Sequence, residues 1–211
     1  YVFNETITRI NIPYDPSSYT DEHYHIIKSN IYPTGWTRLY DTIDTAITYN
    51  REIANADNSA NADNSANADN SANADDMHFM IILTDGIDNR SDISQAEIKH
   101  KITEHSKDEN VNYIFLGANI NAQTTGTGLG INDGACLQFT PDPTRTLKLF
   151  DSLGHAMERS ITHQSNSVSF NTHERQQSCT TQDQSKYKIT ASQSEPLAIS
   201  QSLFPLKHAS T

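Results

Sequence analysis

Cysteine is nearly absent from this chain: Cys136 and Cys179 are the two among 211 residues. They lie far apart and form no metal-ligand cluster, which argues against a disulfide framework and a cysteine-rich metal site. The mild preference is a reducing, cytoplasmic compartment. Basic residues are also scarce, with 15 Lys and Arg against 26 Asp and Glu and a formal net charge of −11. Binding to a nucleic-acid backbone needs clustered Lys and Arg, so nucleic acid is not an expected partner. An anionic membrane surface is disfavoured for the same reason, and no apolar run approaches transmembrane length. Hydrophobic residues make up 35% and mean hydropathy is −0.63, so part of the length is not expected to join a core. What remains is enough for one domain with added segments.

The stretch with the strongest signal is Met77 to Asn89, MHFMIILTDGIDN. Phe79 to Leu83 is apolar at every position, the pattern of a strand buried on both faces of a parallel sheet. Thr84, Asp85 and Gly86 end it. In open α/β sheets ligands bind beyond the carboxyl ends of the strands. Asp85 is expected there, with Gly86 allowing a sharp turn. A carboxylate at that place suits a hard cation or caps a turn or helix; from this stretch both readings stay open.

Before it, Tyr1–Asn4 and Thr8–Ile12 read as two short strands around a turn, ended by Pro13 and Pro16. Thr20 is expected to cap a short helix over about His23 to Ser29. Leu39, Ile43 and Ile47 recur every four residues and predict a helix from about Thr37 to Asn50. From Asn55 to Asp75 the chain repeats N-A-D-N-S-A three times and then N-A-D. The whole stretch 55–76 is read as an acidic low-complexity insert without regular structure, since Asn, Asp and Ser favour turns over helix interiors. It lacks the glycines and apolar positions of calcium-binding repeats.

Beyond the central strand, Ser94 and Glu97 fit a capping box opening a helix with Ile98 and Ile102 inward. Val111 to Leu116 is the next strand. Gly126, Gly128 and Gly130 fall about ten residues after it, too late for a dinucleotide loop. Cys136 to Thr140 is expected as the last strand. Asp142 and Pro143 then open a helix whose Leu147, Phe150, Leu153, Met157 and Ile161 form a stripe read as core packing. Residues 163–211 are rich in Gln, Ser and Thr and read as a disordered tail.

The order of these elements, with GWTRLYDTI at 35–43, ILTDGIDN at 82–89, YIFLGANINA at 113–122 and GLGI at 128–131, resembles the von Willebrand factor type A domain, stand-alone bacterial and phage type. The likeness covers about residues 1–162 and skips the insert. It implies an α/β, Rossmann-like, doubly wound, mostly parallel sheet. It also implies a metal-ion-dependent adhesion site, in which oxygen ligands from three loops hold Mg²⁺ or Mn²⁺ and an acidic residue of a protein partner completes the coordination. Thr37 matches the second loop and Asp85 the third, with Asp88 close by to orient water or the Asp85 carboxylate. The first loop's Asp-x-Ser-x-Ser motif does not occur before Thr37. Tyr1 falls within an apparent strand, so the resemblance is to an N-terminally truncated domain with a partial site, binding Mg²⁺ weakly or not at all.

Two rivals remain. A haloacid-dehalogenase-like phosphotransferase would use Asp85 as nucleophile, but expects a second Asp two residues on, where Ile87 stands. A degenerate fragment would have no functional site. No Ser-His-Asp or Cys-His arrangement can be argued from spacing, so a non-enzymatic protein-binding module is the leading expectation.

Overall fold

A computed structural model describes residues 1–10, 20–30, 35–62, 77–108, 111–162 and 167–179. A small antiparallel hairpin opens it, β1 (Val2–Phe3) with β2 (Ile7–Thr8). The Asn4 side chain closes the turn by accepting the Thr6 N–H at 2.9 Å. Helix α1 covers Asp21–Asn30 and α2 Leu39–Ala62. Then strand and helix alternate: β3 (His78–Thr84), α3 (Gln95–Asp108), β4 (Val111–Ala118), α4 (Ala122–Gly128), β5 (Cys136–Phe139) and α5 (Pro143–Thr162). A short helix, α6, covers Thr172–Ser178. The architecture is α/β, with a three-stranded parallel sheet in the order β3-β4-β5 flanked by helices. No helix among the described residues is long and apolar enough to cross a membrane.

Burial differs between the strands. Two strands are buried at every position: β4, VNYIFLGA, paired on both sides, and β5, CLQF, at the other edge and covered by α4 and α6. The 79–83 run, expected to be buried on both faces, lies at an edge among the described strands. It alternates instead: Ile82 and Thr84 are buried, while Ile81 is 44% and Leu83 46% exposed. An all-apolar run cannot tell an edge strand from a central one.

The core gathers Leu39, Ile43 and Ile47 of α2 and Ile98 and Ile102 of α3 around β4 and β5, as their spacing predicts. The Ser94–Glu97 capping box is in place, with reciprocal bonds of 3.3 and 2.9 Å. Gly126 packs so tightly that an added Cβ would collide with the Cys136 sulfur. Burial, with Asp133 nearby, pushes the Cys136 thiol up to about 12. Gly130 needs its lack of a side chain for a φ of 83° in the turn after α4.

Three expectations change. Helix α2 continues to Ala62, so the first part of the repeat is helical; residues 63–76 lie outside the described set. Extending a formed helix is far cheaper than starting one, and the alanines of the repeat favour it. The α5 stripe is also turned. Leu153 is buried, but Leu147, Phe150 and Ile161 are exposed, and the inward face is Leu149, Ser152, Leu153, Ala156 and Ser160. Small residues on that face let the helix approach closely.

The third change concerns the tail, whose residues 167–179 are packed. Val168, Phe170 and Cys179 are buried. Asn171 and Glu174 form a capping box at the start of α6. The Glu174 carboxylate, 3% exposed as a residue, receives both guanidinium ends of Arg159 at 2.7 and 2.8 Å. Arg145 donates to the carbonyls of Gln177 and Cys179, and Arg175 to those of Cys136, Asp133 and Gly134. Residues 180–211 lie outside the described set. Burial works to raise the Glu174 carboxyl, but Arg159 and the Asn171 N–H together hold it below the usual range. Replacing Glu174 with Ala removes the buried partner of Arg159 and the half of the capping box that holds the Asn171 N–H. The expected loss is about 2–4 kcal/mol in urea unfolding; a change within about 0.5 kcal/mol, the scale of a bland surface substitution, would show that 167–179 does not contribute to the folded core.

Candidate functional site

The carboxyl end of β3 is closed by its own last residue. The buried Thr84 hydroxyl accepts the Gly86 N–H at 3.2 Å and donates to the Gly86 carbonyl at 2.9 Å. This local turn ends the strand and leaves Asp85 exposed at its tip. A Cβ built on Gly86 would stand 3.3 Å from the Thr37 Oγ1. Glycine therefore lets the Thr37 hydroxyl come close to the TDG turn, and the two segments converge at this edge.

Thr37 is held by Asn89. The Asn89 Oδ1 accepts the Thr37 N–H at 2.7 Å, the Asn89 N–H reaches the Thr37 carbonyl at 3.1 Å, and the Asn89 amide donates to the Gly35 carbonyl at 3.2 Å. Thr37 itself lies two residues before α2 and does not cap it. Arg38 occupies that place, its carbonyl accepting the Thr42 N–H at 3.1 Å.

Asp88 turns toward α2. Its Oδ1 accepts the Tyr40 N–H at 3.2 Å and the Ser91 hydroxyl at 2.5 Å, and its Oδ2 accepts the Ser91 N–H at 3.3 Å. Ser91 in turn accepts the Asp41 N–H at 3.1 Å. The loop after β3 thus satisfies free N–H groups of the first turn of α2, and a carboxylate there suits the helix dipole. The favour is returned by Asp41. Its carboxylate accepts the N–H groups of Asp92 and Ile93, each at 3.1 Å, and the Arg38 guanidinium at 2.6 Å. Arg38 also reaches Asp92 at 2.6 Å. Burial works to raise the Asp41 carboxyl, but the Ile93 N–H, Arg38 and the Asp92 N–H outweigh it and hold the group below the usual carboxylate range.

Of the residues singled out from sequence, Thr37 and the Asp85–Gly86 turn are brought together, and Asp88 is committed to α2 and Ser91. Asn89, Asp41, Arg38 and Ser91 were not anticipated. Their signal is the run of turn- and cap-forming residues 88–92, whose partners lie about fifty residues earlier. Among the described residues no three His, Cys, Asp or Glu side chains come together to hold a metal. Thr37 and Asp85 would supply one hydroxyl and one carboxylate, fewer donors than an octahedral hard cation requires.

The lock has a pH signature. A carboxyl depressed in the folded state stabilises fully above its unfolded value of about 4, and that stabilisation disappears as pH falls through the lower folded value. Asp41→Asn is therefore expected to lower stability at pH 7 by about 1–3 kcal/mol, with the gap from the parent chain narrowing below about pH 4. Thermal unfolding of both chains across that range measures it, and an equal gap at pH 7 and pH 3 would show that the charge of Asp41 is not what matters.

Neither a family model, nor a curated protein, nor a solved structure gives a significant match to this chain.

Proposed function

We propose that this chain is a protein-binding module of the von Willebrand factor type A kind, doubly wound in topology, with a partial site for Mg²⁺ or Mn²⁺ formed by Thr37 and Asp85. The observation that carries the reading is the approach of the Thr37 hydroxyl to the TDG turn, where a Gly86 Cβ would lie 3.3 Å away. Two ligand types of an adhesion site, a threonine hydroxyl and a TDG carboxylate, thereby share the carboxyl end of a parallel strand, where α/β sheets place ligands. Asn89 holds the Thr37 backbone and the Thr84 hydroxyl holds the Gly86 backbone beside it.

The outer edge of β3 also supports the reading. It is unpaired among the described residues, and its Ile81 and Leu83 are exposed. A further parallel strand can add there, and its following loop would reach the same sheet end with the missing oxygens. A partner carboxylate then completes the coordination. Exposed Leu147, Phe150 and Ile161 on α5 offer apolar contact area for a protein. A role in the cytoplasm, away from nucleic acid and membrane, accords with the net charge of −11.

Calorimetric titration with Mg²⁺ tests this on two chains: the present one, and one extended at its N-terminus by a strand and an Asp-x-Ser-x-Ser loop. The first should bind weakly or not at all. The second should bind measurably and lose that binding in Asp85→Ala. Tight binding by the present chain would overturn the partial-site reading; a folded but silent extended chain would remove the metal from the proposal.

A further inference from the structure

The two edges of the sheet are finished differently. Beyond β5 the chain folds back over the strand. Thr140 donates its N–H to the Ser178 carbonyl and Phe170 to the Gly134 carbonyl, each at 2.9 Å, and Arg175 reaches the Cys136 carbonyl at 2.7 Å. The outer edge of β3 is unpaired among the described residues, and Ile81 and Leu83 stand exposed on one face. Natural sheets guard such an edge with charges, Pro or a bulge. HFMIILT carries no Lys, Arg, Asp, Glu or Pro.

The exposed face continues onto α5. The Ser160 hydroxyl donates to the Met77 sulfur at 3.4 Å, which sets the end of α5 over the start of β3. Met77, Ile81 and Leu83 share that face by strand alternation. On α5, Arg145, Ser152 and Arg159 bond α6, on the β5 side. Residues two apart lie about 200° round a helix. Leu147, Phe150 and Ile161 therefore lie on the opposite flank, toward β3, and are exposed.

The sequence beyond Cys179 contains a segment that fits this edge. Residues 197–204, LAISQSLF, are set between Pro196 and Pro205 and carry no charge. Leu197, Ile199 and Leu203 alternate with Ala198, Ser200 and Ser202, the period-two pattern of a strand with one apolar face, interrupted only by Gln201. The seven residues 197–203 match the seven of β3. The reach is ample. Ser178 lies at the carboxyl end of β5, two strand spacings or about 10 Å from β3, whereas residues 180–196 can extend roughly 50 Å. A chain arriving at that end of the sheet can run straight down β3 as an antiparallel edge strand, a common addition to a parallel sheet.

We propose that residues 197–203 of the same chain add to the outer edge of β3, with Leu197, Ile199 and Leu203 beside Ile81 and Leu83. The metal reading plays no part in this. A strand added at the N-terminus would take the same edge and displace the segment, so the Mg²⁺ titration and the experiment below can fail separately.

Amide hydrogen exchange of the ¹⁵N-labelled full chain, followed by NMR at a concentration where sedimentation shows a monomer, tests it. The comparison is the double variant Ile199→Pro with Ser200→Pro. Adjacent residues direct their N–H groups to opposite sides, so one of the two is lost to β3 in either register. Amides of 197–203, and those of β3 facing away from β4, should exchange at least about tenfold more slowly in the parent chain. Rapid exchange of 197–203 in the parent, or β3 protection that survives the two prolines, would overturn the proposal. A nitroxide on Ser200→Cys is a second measurement, selective because Cys136 and Cys179 are buried. It should broaden the amides of Ile81 and Leu83 in its own chain. Sharp signals there would overturn the contact. Equal broadening in a mixture of spin-labelled chains with ¹⁵N chains lacking the label would make the occupant a second copy and overturn the assignment to the same chain.

Discussion

The reciprocal capping between α2 and the loop after β3 is the contact on which the candidate site depends. Asp88 and Ser91 reach into the first turn of α2, while Asp41 on that helix takes up the N–H groups of Asp92 and Ile93. Each element supplies what the other lacks: a helix start has spare donors, and an irregular loop has backbone groups without ladder partners. Every bond involves a carboxylate or hydroxyl facing backbone N–H groups, so the geometry is directional as well as favourable. With the loop and helix fixed, Asn89 lands beside Thr37 and the TDG turn is held next to the Thr37 hydroxyl. The edge is thus organised by hydrogen bonds, with the apolar core of α2 only fixing where the helix lies.

Much of this fold can be read in the residues. Periodicity located α3 and the buried face of α2, and the Ser94–Glu97 spacing located a helix start, because both signals act within one or two turns. What could not be read was tertiary. Whether HFMIILT lies at the centre or the edge of a sheet depends on how many strands pair with it, and nothing within the strand records that. The stripe on α5 failed for a related reason. Leu147, Phe150 and Ile161 share the period of a core face, but Ser152, Ala156 and Ser160 fit the available space better. At the site, Thr37, Asp85 and Asp88 were visible as oxygen donors near a strand end. Asp41 and Asn89 were not, since their partners are distant in sequence.

Residues 167–179 carry a different lesson. Their composition is that of a polar linker, yet they are bound into the fold by three arginines. Arg145 and Arg175 donate to backbone carbonyls at the start of β5 and the end of α6, and Arg159 meets a buried carboxylate. The planar guanidinium, with several donors in a fixed fork, can serve carbonyls from separate segments at once. Lysine in these places would keep the charge and lose the cross-linking. A low apolar content is thus compatible with a packed segment when carbonyl groups are collected in this way.

The burial of Cys136 has a practical consequence. Its thiol lies against Gly126 at the start of β5, fully buried, and keeps its proton well above neutral pH. The thiolate is the reactive form, so an alkylating reagent meets an inert group for as long as the core stays closed. Reaction then waits on an opening that frees β5 from α4. The rate of modification of Cys136 accordingly reports how often β5 opens.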